Sequence, residues 1–247
     1  MDTEPHYPYY TPSTPLGPRR IEEALVLSRK RLHPPMTDED YLILCERRRL
    51  FIEALDKCPT GPLTVLDVGG RLQPYRELLT DRSIRYVAID PILDGLTDIV
   101  GIGEYLPFRR ESFDLTICAQ VLTYANNPSL LVAEIHRVLR PRGVLFLSAP
   151  AFFPRHHDER WRFLPDGLRI LLRGFSSTDI QPEGNSLCGL FRTVNICLRL
   201  FLQYHPRLWW VARTTLIPPV NLLGRMLHGL SLGNDHLIAN YSVIAVK

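Results

Sequence analysis

The residues most able to do chemistry in this sequence are two aspartates and a pair of glycines. Asp67 lies in the short apolar run 63–68, which breaks at Gly69 and Gly70, and Asp90 ends the next apolar run. A strand, a glycine turn and a helix form the opening of a nucleotide-binding βαβ unit, because glycines let the backbone approach a ligand and the new helix directs free N–H groups at it. Asp90 follows Asp67 by 23 residues, close to the roughly 20-residue offset at which such folds place a carboxylate on a ribose hydroxyl.

The spacing of the glycines indicates which nucleotide is expected. A dinucleotide fingerprint has the pattern G-x-G-x-x-G, whereas here Gly69 and Gly70 are followed by Arg71 and Gln73 without a third glycine. The segment instead resembles the first motif, D-x-G-x-G-x-G, of class I S-adenosylmethionine-dependent methyltransferases. Asp67 and Gly69 match that motif, and Arg71 and Gln73 stand where it has its later glycines.

A longer stretch carries the same resemblance. Residues 104–108 read EYLPF, residues 112–122 read SFDLTICAQVL and residues 134–145 read EIHRVLRPRGVL. They are closely similar to a large class I methyltransferase family with the pattern E-x-LPF, SFD, Q-V-L and E-I-x-R-V-L-K-P-G-G, and the match covers residues 63–150 in order. Residues 157–168 look like the H-x-x-x-W-R-F-T-P-x-G-L stretch of members often associated with glycan or secondary-metabolite pathways.

The resemblance implies S-adenosylmethionine as the cofactor and gives roles to the residues at the strand ends. Asp67 with Gly69 and Gly70 would form the loop beneath the methionine part. Asp90 would bind the ribose hydroxyls, and Glu104 with its neighbours would flank the adenine.

The resemblance also implies which residues lie near the methyl group. Gln120, at the end of the fourth strand, would face the cofactor near the sulfonium, and Tyr124 would lie close to the transferred methyl. Two positions depart from the family pattern: Ile102 replaces an aspartate that bonds the adenine amine, and Thr123-Tyr124 replaces a Glu-His pair.

Methyl transfer to a hydroxyl also requires a proton acceptor. The displacement itself is in line, so the protein mainly supplies proximity and orientation, but the hydroxyl proton must go to a positioned His or carboxylate. His157, His156 and Asp158 follow the fifth strand, on the side where an α/β sheet opens its site. We predict His157 as the first candidate for the base; the alternative is that His157 and Asp158 bond a loop and cap a helix. Arg160 and Arg162 are either contacts for an anionic acceptor or surface charges.

These residues must be positioned by alternating strands and helices. The patterns predict strands over 63–68, 84–90, 97–100, 113–120 and 143–150, and helices over 73–80 and 128–140. Strands that alternate with helices at this spacing indicate an α/β fold, a doubly wound Rossmann-like sheet that is mostly parallel and covered on both faces.

The rest of the chain is predicted to flank this core. We divide the sequence into a Pro-rich flexible tail (1–20), N-terminal helices (21–58), a cofactor-binding core (59–183), an apolar basic helical insertion (184–237) and a final core strand (238–247). Within the N-terminal part, Thr37 is a plausible N-cap for a helix over 38–57. The basic run 47–49 on that helix is interpreted as a solvated face.

The insertion has an unusual composition. Residues 184–234 contain no Asp or Glu, but they contain five arginines, the pair Trp209-Trp210 and many leucines. The patterns predict helices over 187–204, 207–216 and 220–229. A basic, apolar segment without acids is typical of a membrane-surface element. The other interpretation is a lid over the acceptor site or a homodimer face, which also need apolar area.

Composition limits the remaining classes of function. A formal net charge of +3 over 247 residues is too small to argue for nucleic acid as a partner. The five cysteines show no CxxC pair or zinc-ligand spacing, so we expect no metal site and a reducing cytoplasm. The N-terminus has no signal-peptide pattern, and no apolar run reaches 18 residues. We therefore expect a cytoplasmic protein, peripheral at a membrane if residues 187–229 contact one.

The sequence thus predicts an S-adenosylmethionine-dependent methyltransferase, acting on oxygen of a small molecule, a sugar or a lipid-linked glycan. The alternative from another class is a binding or scaffold protein that kept the fold and lost turnover, held at a membrane through residues 187–229. The departures at Arg71 and Ile102 favour that alternative, and the complete 104–145 stretch favours the enzyme.

Overall fold

The computed structural model describes residues 18–152, 158–229 and 236–247. Within them, seven strands form one sheet in the order β3-β2-β1-β4-β5-β7-β6. The strands are β1 Leu63–Val68, β2 Ser83–Asp90, β3 Ile99–Val100, β4 Phe113–Ala119, β5 Leu139–Pro150, β6 Ser177–Pro182 and β7 Asn240–Val246. Strands β1 to β5 pair in parallel, and β7 runs antiparallel between β5 and β6. The predicted Rossmann-like α/β class is confirmed.

Helices cover both faces of this sheet. They are α1 Pro18–Leu32, α2 Tyr41–Lys57, α3 Pro128–Val138, α4 Pro165–Leu171, α5 Ser186–Leu202, α6 Pro206–Thr215 and α7 Ile217–Leu227. Short 3-10 helices span Arg76–Leu79 and Leu122–Tyr124. Strand β1 shows why the central strands are apolar: Val65 packs with Phe51 of α2 on one face, whereas Leu66 packs with Leu131 of α3 on the other. A strand covered on both sides must be apolar at nearly every position.

The loop after β1 differs from the prediction, which placed a helix over 73–80. The structure has only the 3-10 turn Arg76–Leu79. Gln73 has φ of 49° and is followed by Pro74, so a right-handed helix cannot begin there. The loop is held instead by the neighbouring one, because Leu96 N donates to Arg71 O at 2.9 Å and Gln73 Nε2 donates to Leu96 O.

The N-terminal helices also differ in detail from the prediction. Helix α2 begins at Tyr41 after Asp40, so Thr37 is not its N-cap. The basic run 47–49 is not a uniformly solvated face, because Arg47 is 6% exposed and pairs with Glu183. Propensity and local charge could not show this, since the partner carboxylate is 136 residues further along the chain.

Helices α5, α6 and α7 lie between the antiparallel strands β6 and β7 and pack on α2 and on one another. The contact between α7 and α2 is close at Gly224, where a Cβ atom would lie 2.5 Å from Leu42 Cδ1. A larger residue there would force the two helices apart. None of the helices in 18–152, 158–229 and 236–247 combines the length and hydropathy needed to cross a bilayer.

Candidate functional site

The carboxyl ends of β1 and β2 bring Asp67 and Asp90 to one edge of the sheet, because the two strands are parallel neighbours in register. Asp67 is 4% exposed, and its Oδ2 accepts a hydrogen bond of 2.6 Å from the Tyr86 hydroxyl. Burial raises the pKa of Asp67 to about 7; the bond from Tyr86 opposes this rise, and the negative charge of Asp90 adds to it. Asp67 is therefore a buried carboxyl whose pKa lies near neutrality.

The glycine turn after β1 is packed tightly against the protein itself. Gly69 has φ of 75°, and its N–H donates to Ile89 O at 2.7 Å. A Cβ on Gly69 would lie 2.2 Å from Val121 Cγ2, and one on Gly70 would lie 2.8 Å from Ala88 Cβ and from Asp67 Cγ. Both glycines thus allow the ends of β1, β2 and β4 to approach one another.

Asp90 retains an unused acceptor atom. Its Oδ1 accepts from Ile92 N at 2.9 Å, and within the described part of the chain no hydrogen bond reaches Oδ2. The side chain is half-buried, and burial raises its pKa. A carboxylate with one anchored and one unused oxygen at this strand end fits a ribose hydroxyl.

Glu104 has a structural bond at the position where the resemblance gives it adenine contact. It is 6% exposed, and its Oε1 accepts from Asn126 N at 2.8 Å, which ties the loop after β3 to the loop before α3. Ile102 nearby is 39% exposed and offers apolar surface where the family pattern has an aspartate.

Gln120 and Tyr124 face a cavity of about 440 Å³, which we call the polar cavity. Gln120 has φ of 64°, its backbone N donates to Ser148 O at 2.7 Å, and its Nε2 donates to Ser148 Oγ at 2.8 Å. The end of β4 is thereby fixed to β5, with the Gln120 side chain at the wall of the cavity. The volume lies within the range of about 300–1,000 Å³ that is usual for small-molecule sites.

The walls of the polar cavity are rich in charge. Helices α1, α2, α5 and α6, the connection between α1 and α2, and the segment before α4 contribute charged side chains: Lys30, Arg31, Asp38, Glu39, Asp40, Arg47, Glu159, Arg192, Arg199 and Arg213. Sequence reasoning missed these residues. The available signal was complementary charge, since an acidic run at 38–40 stands against an acid-free helix with arginines at positions 192 and 199.

Several of these charges form ion pairs across the walls. Arg192 Nε lies 2.6 Å from Asp40 Oδ1, and Arg47 lies 2.8 Å from Glu183 Oε2. Burial opposes the charged form of Asp40, yet Arg192 outweighs it, so the pKa of Asp40 is lowered. Burial likewise disfavours the charge on Arg47, but the negative charge of Glu183 outweighs this effect, so the pKa of Arg47 is raised.

Glu39 differs from the other carboxyls in the cavity. Its Oε1 lies 2.7 Å from Arg199 Nε, although the angle is not that of a directed hydrogen bond, and its buried Oε2 has no hydrogen-bond partner among the described residues. Burial raises the pKa of Glu39 to about 7, although Arg199 opposes the rise. A carboxyl that titrates near neutrality in a small-molecule cavity is suited to proton transfer.

Of the three residues predicted as the base, the structure describes only Asp158. His156 and His157 lie outside the described residues, while Asp158 is half-buried. Arg160 does not point free into the site, because its Nη1 donates to Tyr124 O at 2.7 Å. Arg162 pairs with Glu159.

The residues at the strand ends fit S-adenosylmethionine, with one departure. Asp90 offers an unused carboxylate oxygen, the exposed Ile102 offers apolar surface for a base, and the turn at Gly69 and Gly70 admits no side chain. The departure is the loop 71–73, which is bonded to residue 96 instead of forming a longer glycine turn.

Comparison with known proteins points to one family. A family model described as "Methyltransferase domain" matches residues 66–147. An uncharacterized methyltransferase of Mycolicibacterium paratuberculosis (strain ATCC BAA-968 / K-10) is 27% identical over 173 residues, which cover 60% of this chain and 68% of that protein.

Two solved structures share the fold. A SAM-dependent methyltransferase from Archaeoglobus fulgidus has a TM-score of 0.53 at 14% identity and covers 90% of this chain and 99% of its own. The [4+2]-cyclase SpnF has a TM-score of 0.54 at 20% identity, and the match covers 81% of this chain and 80% of the cyclase. At these identities the likeness concerns the fold alone.

Proposed function

Since this chain is a class I S-adenosylmethionine-dependent methyltransferase, we propose that it methylates an oxygen atom of a small molecule that binds in the polar cavity. The observation that carries the proposal is the position of that cavity. Gln120, Thr123 and Tyr124, which follow β4, line it. The family resemblance implies that Gln120 lies near the sulfonium and Tyr124 near the methyl group.

The strand-end residues would hold the cofactor. Bound S-adenosylmethionine supplies an activated methyl group, so the chain must mainly orient the acceptor and exclude water. Asp90 would accept from the ribose hydroxyls through Oδ2, and the turn at Gly69 and Gly70 would lie beneath the methionine part. Asp67, with a pKa near neutrality and bonded to Tyr86, would hold the base of this turn.

The proton of the acceptor hydroxyl needs a base on the cavity wall. His157, His156 and Asp158 remain our candidates from the segment after β5. Glu39 joins them, because it lines the polar cavity with an unpartnered oxygen and a pKa raised to about 7 by burial. A base with a pKa near the working pH transfers protons most effectively.

A binding or scaffold role without turnover is the second candidate function. It is favoured by the loop 71–73, whose bonds to residue 96 replace the family's glycine turn. A cyclase shares this fold, so the fold by itself does not decide that methyl transfer takes place.

The acceptor and its surroundings are suggested by the outer face of α5 to α7. On α5, Leu190, Val194 and Phe201 fall on one helical stripe and are exposed by 44%, 41% and 79%, whereas Arg192 and Arg199 line the polar cavity. Such an apolar outer face with no acids suits a membrane surface, and hence a lipid-linked glycan as acceptor. A homodimer over the same face would instead leave a free sugar or other small molecule as the acceptor.

Calorimetric titration with S-adenosylmethionine and S-adenosylhomocysteine tests the proposed function. We expect micromolar binding, about −8 kcal/mol, and at least tenfold weaker binding by Asp90→Ala. Asp166→Ala is the matched control, because the Asp166 side chain is 89% exposed on α4. If the folded protein binds neither ligand, the scaffold function is favoured.

Two further measurements test the acceptor, the methylated atom and the membrane contact. Release of S-adenosylhomocysteine with a panel of hydroxylated small molecules identifies acceptors, and NMR of the product shows whether oxygen carries the new methyl. Sedimentation with anionic vesicles tests the apolar face. We expect Phe201→Asp to abolish sedimentation, whereas a wild-type protein that stays in solution as a dimer would contradict the membrane contact.

A further inference from the structure

The arginines of the polar cavity fall into two groups. Arg47, Arg192 and Arg199 each lie within 2.8 Å of a carboxylate oxygen. Arg31 and Arg213 line the same cavity, but within the described parts of the chain neither has a carboxylate at ion-pairing distance. The second group therefore carries charge that the protein does not neutralise by direct contact.

Arg31 stands at a central position in the cavity. Its pKa is lowered by burial and by the positive charge of Arg47, although Asp40 partly opposes this. The charge of Arg31 also acts on Tyr124, the residue expected beside the methyl group. Protein atoms surround much of the Arg31 guanidinium and so lower its pKa, but the side chain keeps solvent-accessible surface where it lines the cavity, so a ligand there can reach it.

Arg213, on α6, is the second lining arginine without a carboxylate at ion-pairing distance among the described residues. Its one hydrogen bond among the described residues is long, from Nε to Thr37 O at 3.4 Å. The nearby Asp38 forms no contact ion pair with Arg213 among the described residues; its Oδ1 accepts from Asp40 N at 2.8 Å. Burial raises the pKa of Asp38, whereas the positive charges of Arg213 and Arg31 oppose this rise, so Asp38 is a carboxyl near both arginines.

The charged side chains that line the polar cavity also carry a net positive charge. Six cationic side chains face the cavity and four carboxylates oppose them. A fifth carboxylate, Glu183, neutralises Arg47. The carboxyl of Glu39 has its pKa raised to about 7 by burial, so part of the acidic charge is absent near neutrality. The described lining thus carries a net positive charge, to which Arg31 and Arg213 contribute.

We propose that the polar cavity binds an anionic group, a carboxylate or a phosphate, between Arg31 and Arg213. The inference rests on the proposed function in so far as the anionic group belongs to a ligand of the methyl-transfer site. Arginine suits this task, because its planar guanidinium donates two parallel hydrogen bonds to such groups. The bound anion fixes the ligand at the Tyr124 end of the cavity.

The direct test uses inorganic phosphate as the probe on the full-length protein. Thermal unfolding is followed at rising phosphate and constant ionic strength, maintained with chloride. We expect a saturable rise in Tm for the wild type, and at least a tenfold higher half-saturating concentration for Arg31→Gln and for Arg213→Gln. Arg207→Gln is the matched control: Arg207 is exposed on α6 and does not line the cavity, so this variant should respond as the wild type does.

The outcomes are decisive in each case. Equal responses of wild type, Arg31→Gln and Arg213→Gln, or no response of the wild type, overturn the proposal. Circular dichroism checks that each variant folds, and if one does not, the other decides. Phosphate binding needs no cofactor, so it remains measurable even if S-adenosylmethionine does not bind and the proposed function fails.

Two further probes identify the source of the anion. S-Adenosylhomocysteine has a carboxylate, and 5′-methylthioadenosine lacks the amino acid part. If Arg31→Gln weakens binding of the first tenfold but not of the second, the cofactor's carboxylate is the anion that Arg31 binds. If both bind to the variant as to the wild type while the phosphate response is lost, the anionic group belongs to the acceptor.

Discussion

The strand-end turn around Asp67 and Asp90 and the polar cavity are adjacent but built in opposite ways. The turn consists of residues close in sequence, and its backbone groups bond within the protein, as Gly69 N does to Ile89 O. The cavity is assembled from distant segments, as in the pair of Arg192 with Asp40, which are 152 residues apart. Among the described residues, it leaves Arg31 and Arg213 without a carboxylate at ion-pairing distance and one oxygen of Glu39 without a hydrogen bond.

This difference shows how the two halves of the site divide their tasks. A turn whose backbone N–H groups are bonded and whose glycines are tightly packed is rigid, so the remaining oxygen of Asp90 is held in one position. A cavity with charged groups that lack an ion-pair partner favours the binding of a ligand of opposite charge.

The largest loss in the free energy of unfolding should come from breaking the buried ion pair between Arg47 and Glu183. Glu183 is fully buried and accepts from Arg47, from Ser148 Oγ at 2.5 Å and from Ser242 Oγ at 2.6 Å. Glu183→Gln leaves the Arg47 charge buried without a counter-ion, which should cost about 3–5 kcal/mol in the free energy of unfolding. Urea denaturation measures it.

The surface pair of Asp166 with Arg169 is the control for this loss, because those side chains are 89% and 62% exposed. Asp166→Asn should change the free energy of unfolding by about 0–1 kcal/mol. A similar small loss for Glu183→Gln would mean that the buried pair does not stabilise the cavity wall.

The next largest loss in the free energy of unfolding should come from disturbing the tight packing of the strand-end turn. Gly69→Ala introduces a Cβ at 2.2 Å from Val121 Cγ2 and a side chain at φ of 75°, which together should cost about 2–4 kcal/mol. Adding Val121→Ala should recover the steric part. Gly167→Ala is the control, since Gly167 lies in α4 with nothing within 4 Å of its Cβ position, and it should stabilise by roughly 0.5–1 kcal/mol. Equal losses at both glycines would argue against the close packing.

A pH-dependent effect should distinguish the cavity carboxyl Glu39. Burial raises its pKa to about 7 from 4.5, so the folded state binds this proton more tightly than the unfolded state does. Its stabilising contribution is complete below pH 4.5 and is lost as the pH rises through 7. Relative to wild type, Glu39→Gln should therefore gain stability between pH 5 and pH 8, by about 1–3 kcal/mol.

Denaturant unfolding at several pH values measures this gain, and the difference cancels the similar titration of Asp67, which both proteins retain. Glu111→Gln, at a side chain that is 52% exposed, is the control and should follow the wild type. If the curves of Glu39→Gln and wild type stay parallel from pH 5 to pH 8, Glu39 does not titrate as described.

The smallest effect compares two helix caps, one in each region. Asn127 Oδ1 accepts from Leu130 N at the start of α3, and Asn185 Oδ1 accepts from Cys188 N at the start of α5. Each change to Ala should cost about 1 kcal/mol. Asn185→Ala should cost more, because Asn185 Nδ2 also donates to His228 O after α7. Thermal unfolding can rank the two, and the reverse order would mean that α7 is not held through this bond.

Sequence reasoning succeeded where the signal is local. The apolar run 63–68 became β1, and the run 113–120 became β4 over Phe113–Ala119. It failed at the helix expected over 73–80, because the bonds of Arg71 and Gln73 to residue 96 outweigh the helical pattern. It also failed at Arg47, where a charge that looked solvated is buried against Glu183.

The sequence by itself determined the core strands β1, β2, β4 and β5, helix α3 and the positions of Asp67 and Asp90 near strand ends, because these depend on short-range periodicity and turn chemistry. Only the tertiary structure decided which charges meet. Arg31, Asp40 and Arg192 enter one cavity because α2 packs on both α1 and α5. Whether each charge is neutralised depends on burial and on distances across the fold, which no local pattern contains.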